Sequence, residues 1–263
     1  MDLTKELTIA KELAIKAGKE ILIIYDSDDF QITNKSENNY ASPLTKADLK
    51  ANEIIVTKLR KEFPSYAILT EEEKDDKIRL NNDYVWIIDP IDGTKEFIKK
   101  NGEFTVNIAL VYKTEVVLGV IYVPVSEELY FATKNNGSYL NEQKINVSNA
   151  NKQKEMIIVK SRSHASEKLL KIIENFKDTI VKGSSLKGCI IAKGDADIYP
   201  RLGPVNEWDI CAMDIIIKEA GGKLTDLEGK DLKYNKINPL ITSGFLVTNN
   251  KIHKEILDVI NND

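Results

Sequence analysis

Apolar residues recur at alternating spacings of four and three at Leu3, Leu7, Ala10, Ala14, Ala17, Ile21 and Ile24. That spacing draws one stripe down a long amphipathic helix facing a core. A second helix is expected after Pro43, with Thr45 as N-cap and Asp48 three residues later in a capping-box pattern, running through Ile54, Ile55 and Leu59 to Phe63-Pro64. From Tyr84 the pattern turns to strands: 84–88, 105–112, 116–123 and 129–133 are rich in Val, Ile, Tyr and Phe. Asn135-Asn136-Gly137 marks a tight turn after the last of them. This half reads as two helices on a mostly antiparallel sheet. Beyond Asn151, a strand (156–160), a helix (about Ala165 to Phe176), a helical stretch (185–192), a helix (208–220), a strand (245–248) and a terminal helix alternate in an α/β manner. The polar segment 141–154 is the boundary candidate, dividing an N-terminal α+β subdomain, 1–150, from a C-terminal α/β subdomain, 151–263. The segment is too short and too unlike a Gly/Ser linker to imply independent domains.

Composition narrows the functional classes. The 263 residues are 42% apolar and 30% charged with a net charge of -4, which offers no global basic field for a nucleic-acid polymer. Cys189 and Cys211 stand in apolar surroundings without metal or secreted-type spacing, so they read as small core residues in a reduced compartment. The N-terminal residues mix charges from the start, and no apolar run approaches the ~18 residues that span a bilayer. The expected location is the cytoplasm. Peripheral contact with the inner face of the membrane, and the choice between monomer and homodimer, stay open.

Acidic residues cluster where elements end: Glu71, Glu72 and Glu73 after the run 66–70, Asp89 and Asp92 after strand 84–88, and Asp209 at the start of the helix 208–220. Each has a bland explanation, as a solvated loop, a turn or a helix N-cap, and Asp48 already fits a capping box. Together, carboxylates at strand ends and helix starts can converge on a hard cation. With only His164 and His253 and two buried-looking cysteines to offer, the chain has little for zinc, and magnesium is the natural occupant. Pro90 should stop a central strand and present Asp89, the Ile91 carbonyl and Asp92 on one side. Gly93 allows close backbone approach, the amides of Gly93 and Thr94 can cradle a phosphate, and the Thr94 hydroxyl can meet an attacking water.

These segments resemble the signatures of the lithium-sensitive inositol monophosphatase superfamily: Trp86 to Thr94, Trp208-Asp209 followed by Glu219 to Gly222, and Leu69-Thr70-Glu71-Glu72 upstream. Asp92 to Ile98, Asn101 to Asn107, Ser161 to His164, Gly183 to Lys187 and Tyr199-Pro200-Arg201 are similar to its bacterial CysQ branch, the 3′(2′),5′-bisphosphate nucleotidases. Small departures occur at Val205-Asn206 and Ile210-Cys211-Ala212, where Thr-Ser and Thr-Ala-Ala are common, and they bear on the base or ribose pocket.

The resemblance implies an α/β (α+β) fold, a layered α-β-α-β-α sandwich of the inositol monophosphatase/fructose-1,6-bisphosphatase type, with the site between the halves. It implies Glu71, Asp89, the Ile91 carbonyl, Asp92 and Asp209 as ligands of two magnesium ions, with a third near Glu71 and Glu72 by analogy. Glu72 counts with Asp48 and Thr94 in the catalytic group, Thr94 and Asp48 positioning and deprotonating the water. The expected substrate is adenosine 3′,5′-bisphosphate, a small nucleotide tied to sulfur metabolism, hydrolysed to AMP and phosphate without a covalent intermediate. A retained 5′-phosphate needs a second anion site, for which His164, Ser184, Lys187 and Arg201 are suited, beside Gly93, Thr94 and Asp209 at the reacting end. Lithium inhibition is implied by the same resemblance. Inositol monophosphate or fructose bisphosphate as substrate, and a non-catalytic nucleotide sensor, are the competing readings.

Overall fold

The computed structural model describes residues 1–27, 29–37, 40–162 and 176–262. The expected helix from Ala165 and the candidate His164 lie outside the described residues.

Helix α1 (Thr4–Ser27) buries Ile9, Ala10, Leu13, Ala14, Ala17 and Ile21. The expected stripe is present, with Leu7 and Ile24 at its half-buried margin, and the helix runs three residues past Ile24. Strands β1 (Thr33–Glu37) and β2 (Tyr40–Leu44) form an antiparallel hairpin that the pattern did not indicate. Helix α2 (Lys46–Glu62) opens on the expected capping box at Thr45 and ends against Phe63. Then comes a seven-stranded sheet in sequential order: β3 (Ala67–Thr70), β4 (Tyr84–Asp92), β5 (Thr105–Tyr112), β6 (Glu115–Val123), β7 (Glu128–Thr133), β8 (Ser138–Leu140) and β9 (Gln143–Ile145). Only the β3–β4 pair is parallel. The short helix α3 (Thr94–Ile98) interrupts between β4 and β5.

The second sheet has five strands in the order β11-β10-β12-β16-β14: β10 (Ile157–Ser161), β11 (Asp178–Lys182), β12 (Ile198–Arg201), β14 (Lys223–Thr225) and β16 (Phe245–Thr248). Helix α4 (Leu186–Ala192) precedes β12, and β13 (Val205–Asn206) leads into α5 (Glu207–Glu219) and pairs with β15 (Leu240–Ile241). Helix α6 (His253–Asn262) closes the chain.

Both faces of the large sheet are covered. Helices α1 and α2 pack on one side with Trp86, Ile88, Ile108, Leu110 and Leu118. Helices α4 and α5 pack on the other with Val85, Ile87, Ala109 and Ile121, and the same cluster reaches Val159, Leu224 and Val247 of the five-stranded sheet. Helix α6 covers that sheet's outer face through Ile256, Leu257 and Ile260. The layers therefore run α-β-α-β-α, as expected. Two-sided cover explains why the strands read as continuous apolar runs rather than alternating ones. Helix α5, wedged between sheets, is buried nearly all round. Cys189 and Cys211 are free and buried in this core. Among the described residues, no helix is long and apolar enough to cross a membrane.

Candidate active site

Strand β4 does not stop at Ile88, as the proline had suggested, but continues to Asp92. Its pairing with β5 passes from Asp89 opposite Asn107 to Asp92 opposite Thr105, so two residues, Pro90 and Ile91, stand against one. Strand β3 has already ended, with Thr70 opposite Ile88. The missing Pro90 N–H thus falls in a bulge and breaks no ladder. The bulge also aims the site. In a regular strand residues three apart point to opposite faces, and one extra residue returns them to the same face. Ile91 N donates to Asp89 Oδ1 at 3.1 Å and secures the bulge.

Asp89, Asp92 and Asp209 each bring a carboxylate oxygen within 4.8 Å of the others. Asp89 is 1% exposed. Burial first, then the negative charges of Glu71, Asp92, Asp209 and Glu72, hold its carboxyl well above the usual range. Asp209 is pushed up by burial and then by Asp92 and Glu71. Glu71 and Glu72 therefore lie within electrostatic reach, although the tight trio is formed without them. Glu73 turns away to pair with Arg60 at 2.6 Å. Among the described residues, no lysine or arginine makes an ion pair with the trio. Three close, like-charged oxygen donors with no cationic partner fit a hard divalent cation.

Gly93 takes a left-handed conformation at φ 96 and turns the chain from β4 into α3. Thr94 Oγ1 then lies 3.2 Å from Asp48 Oδ1 and 3.3 Å from Ile91 O. The other Asp48 oxygen accepts from Thr45 N at 2.7 Å and Thr45 Oγ1 at 2.6 Å. Asp209 repeats the device: it is not the N-cap of α5 but the N3 residue of a capping box whose N-cap is Asn206, with Asn206 N donating to Asp209 Oδ2 at 2.9 Å.

Two residues that lie in the branch motifs but were given no site role from the sequence steady the trio. Ser185 Oγ lies 2.7 Å from Asp92 Oδ2 and 2.8 Å from the Asp209 carbonyl, and Asn107 Nδ2 donates to Ser185 Oγ at 2.9 Å. A signal for Asn107 existed, since it is a polar residue inside an otherwise apolar strand. Nothing in the sequence separated Ser185 from Ser184. A third, Glu103, accepts from Gly183 N at 2.8 Å and Arg162 Nη2 at 3.0 Å and meets Lys182 Nζ at 3.3 Å. It ties the Lys182-Gly183-Ser184 turn to the loop after α3.

An open pocket, about 700 Å³ with the solvent at its mouth, is lined by members of the acidic set together with the basic candidates. Its lining includes Asp92, Gly93, Asp209, Ser184, Lys187 and Arg201. Burial pulls the Lys187 ammonium down from the usual lysine range, while Asp92 pulls it up. Lys187 Nζ donates to Ser184 O at 2.5 Å and lies 5.2 Å from the centre of the Tyr199 ring. Arg201 Nη2 donates to Pro204 O at 2.9 Å. Its Nε is buried without a hydrogen-bond partner among the described residues. Val205 and Ile210, two of the departures noted above, also line this pocket.

A five-layer sandwich with a carboxylate cluster beside the seam between its sheets defines a class of metal-dependent phosphatases, and the chain belongs to the Inositol monophosphatase family, whose sequence profile matches residues 2–262. Within it the chain is 38% identical over 246 residues to the 3′(2′),5′-bisphosphate nucleotidase CysQ of Escherichia coli (strain K12), covering 90% of this chain and 97% of the relative. To the CysQ of Buchnera aphidicola it is 41% identical over 244 residues, 89% of this chain and 90% of the relative. The crystal structure of CysQ from Bacteroides thetaiotaomicron superposes with a TM-score of 0.81 at 39% identity, covering 94% and 98% of the two chains. The resemblance read from the motifs, and the fold it implied, are borne out.

Proposed function

We propose that the chain is a magnesium-dependent phosphomonoesterase that hydrolyses adenosine 3′,5′-bisphosphate to AMP and phosphate. One observation carries this reading: a single pocket is lined both by the aspartates Asp92 and Asp209 and by the cations Lys187 and Arg201. A substrate with two phosphates, one to be cleaved and one to be kept, matches that division. The similarity to CysQ nucleotidases over about nine tenths of the chain supports the same substrate.

Glu71, Asp89, the Ile91 carbonyl, Asp92 and Asp209 would hold two magnesium ions. When bound, the ions supply charge neutralisation at the phosphoryl group and acidify water. The chain's own part is positional. Thr94 Oγ1 orients the attacking water and hands its proton toward Asp48 Oδ1, to which it is already linked at 3.2 Å. Asp48 is itself locked by Thr45. Lys187 and Arg201 hold the retained 5′-phosphate, and His164 and Ser184 complete that end of the proposal. The free, buried cysteines accord with a cytoplasmic location.

The test is phosphate release from adenosine 3′,5′-bisphosphate, inositol monophosphate and fructose bisphosphate, with and without magnesium. The expected result is a preference for the nucleotide that is lost in Arg201→Ala and Lys187→Ala, each by about 10- to 100-fold in kcat/KM. Unchanged efficiency in both variants overturns the substrate assignment. Nucleotide binding without phosphate release in magnesium would leave a sensor in its place.

A further inference from the structure

One side chain in the pocket has no part in the reading above. Glu96 lies in the first turn of α3 and lines the pocket beside Lys95, Gly183, Ser184 and Lys187. It is 7% exposed. Among the described residues its carboxylate makes no hydrogen bond and no ion pair. Three cations of this region are engaged elsewhere: Arg162 and Lys182 meet Glu103, and Lys187 Nζ donates to Ser184 O. The Glu96 charge is felt at Lys187 without ion-pair contact. Nor is the side chain free to swing away. The backbone of Gly183 passes over its stem so closely that a Cβ there would stand 2.8 Å from Glu96 Cγ.

Glu96 is held in place and faces the pocket, and among the described residues nothing donates to it, so an occupant of the pocket is placed to supply a donor. Phosphate cannot be that partner, because two anions repel. The donor must come from an uncharged N–H or O–H. A nucleoside bisphosphate carries both kinds of group this pocket asks for, a second anion for Lys187 and Arg201 and neutral donors on its sugar and base. We propose that Glu96 accepts a hydrogen bond from a neutral donor of the bound nucleoside and thereby sets which nucleoside bisphosphates are turned over. The inference rests on the substrate class proposed above. Two donors share this chemistry, the ribose 2′-hydroxyl and the adenine 6-amino group.

The experiment compares kcat/KM for adenosine 3′,5′-bisphosphate, its 2′-deoxy analogue and inosine 3′,5′-bisphosphate, in the wild type, Glu96→Ala and Glu96→Gln. A hydrogen bond to a charged acceptor gives about 10- to 100-fold discrimination. The wild type is therefore expected to lose that factor on one analogue, which identifies the donor. In Glu96→Ala the two rates should come within about threefold of each other, and Glu96→Gln, which keeps the shape and a neutral acceptor, should keep part of the ratio. A purely structural role would lower all three substrates alike and leave the ratio intact, which overturns the inference, as does a wild type that treats all three equally. Should Glu96→Ala fail to fold, an undiminished ratio in Glu96→Gln is the overturning result. Failure of the wild type to release phosphate from the adenosine compound strikes the substrate proposal itself, and is thus distinguishable.

Discussion

Asp48 and Asp209 each occupy the N3 position of a capping box and a place in the site at the same time. The two roles do not compete, because a carboxylate has two oxygens with about four lone-pair sites. Asp48 spends one oxygen on Thr45 and the other on Thr94. Bland and functional explanations of a residue need not exclude each other, and here the cap fixes the rotamer that the proposed role requires. Asp89 likewise gives one oxygen to Ile91 N to secure the bulge, and it is buried among like charges that a bound cation relieves. Asp89→Asn is accordingly expected to lower phosphate release by about 1,000-fold or more, with magnesium binding weakened in calorimetry. Near-normal rates would remove Asp89 from the ligand set. Thr94→Ala is expected to lower kcat by about 100- to 10,000-fold with KM nearly unchanged. A defect confined to KM would contradict its place beside the water.

Short features at element ends set these positions. The bulge in β4 brings Asp89 and Asp92 to one side, and the N-terminal turns of α2 and α5 deliver Asp48 and Asp209. Proline was legible as an interruption of β4, but whether it stops a strand or sits in a bulge depends on the neighbouring strands. Strand β3 has ended and β5 skips a pairing, so the chain continues. The α2 cap is testable by itself. Thr45→Ala removes the hydroxyl that caps Ala47 N at 3.2 Å and holds Asp48. We expect a loss of about 1 kcal/mol in chemical denaturation together with reduced turnover. Full activity in the variant would separate the cap from the chemistry.

Across the molecule, buried titratable groups shape the response to pH. His253, at the start of α6, lies between Thr225 Oγ1 at 2.9 Å and Thr248 Oγ1 at 2.8 Å. Burial, then the charge of Lys223, lowers it from 6.5 to about 4. Between those values the unfolded chain binds the extra proton, so His253 makes stability rise with pH across that window and fall as pH drops through it. Glu207 and Asp214 act with the opposite sign: burial raises them to about 7 and about 6, so their contribution declines as pH rises toward those values. Comparing Tm at pH 5 and pH 7 for the wild type and His253→Gln isolates the histidine. The variant should lose less stability on acidification, and equal losses would show that His253 is not the group responsible.

Periodicity alone located the two N-terminal helices, the central strands of the large sheet and the wedge helix α5, because long elements repeat their burial along their own length. Motif residues located the acidic set because carboxylates that directly follow apolar strand runs or open a helix stand at element ends, and together they match the family's signatures. What tertiary structure alone decided was pairing across distance. The hairpin β1–β2 and the narrow edge strands have too few residues to carry a period. Ser185, Asn107 and Glu103 acquire their roles from partners many residues away, and Glu96 is singled out by having no partner among the described residues. Hydrogen bonds between distant segments leave no periodic trace in a single sequence, so the clustered aspartates of the candidate site could be read along the chain while their supports and the shape of the pocket could not.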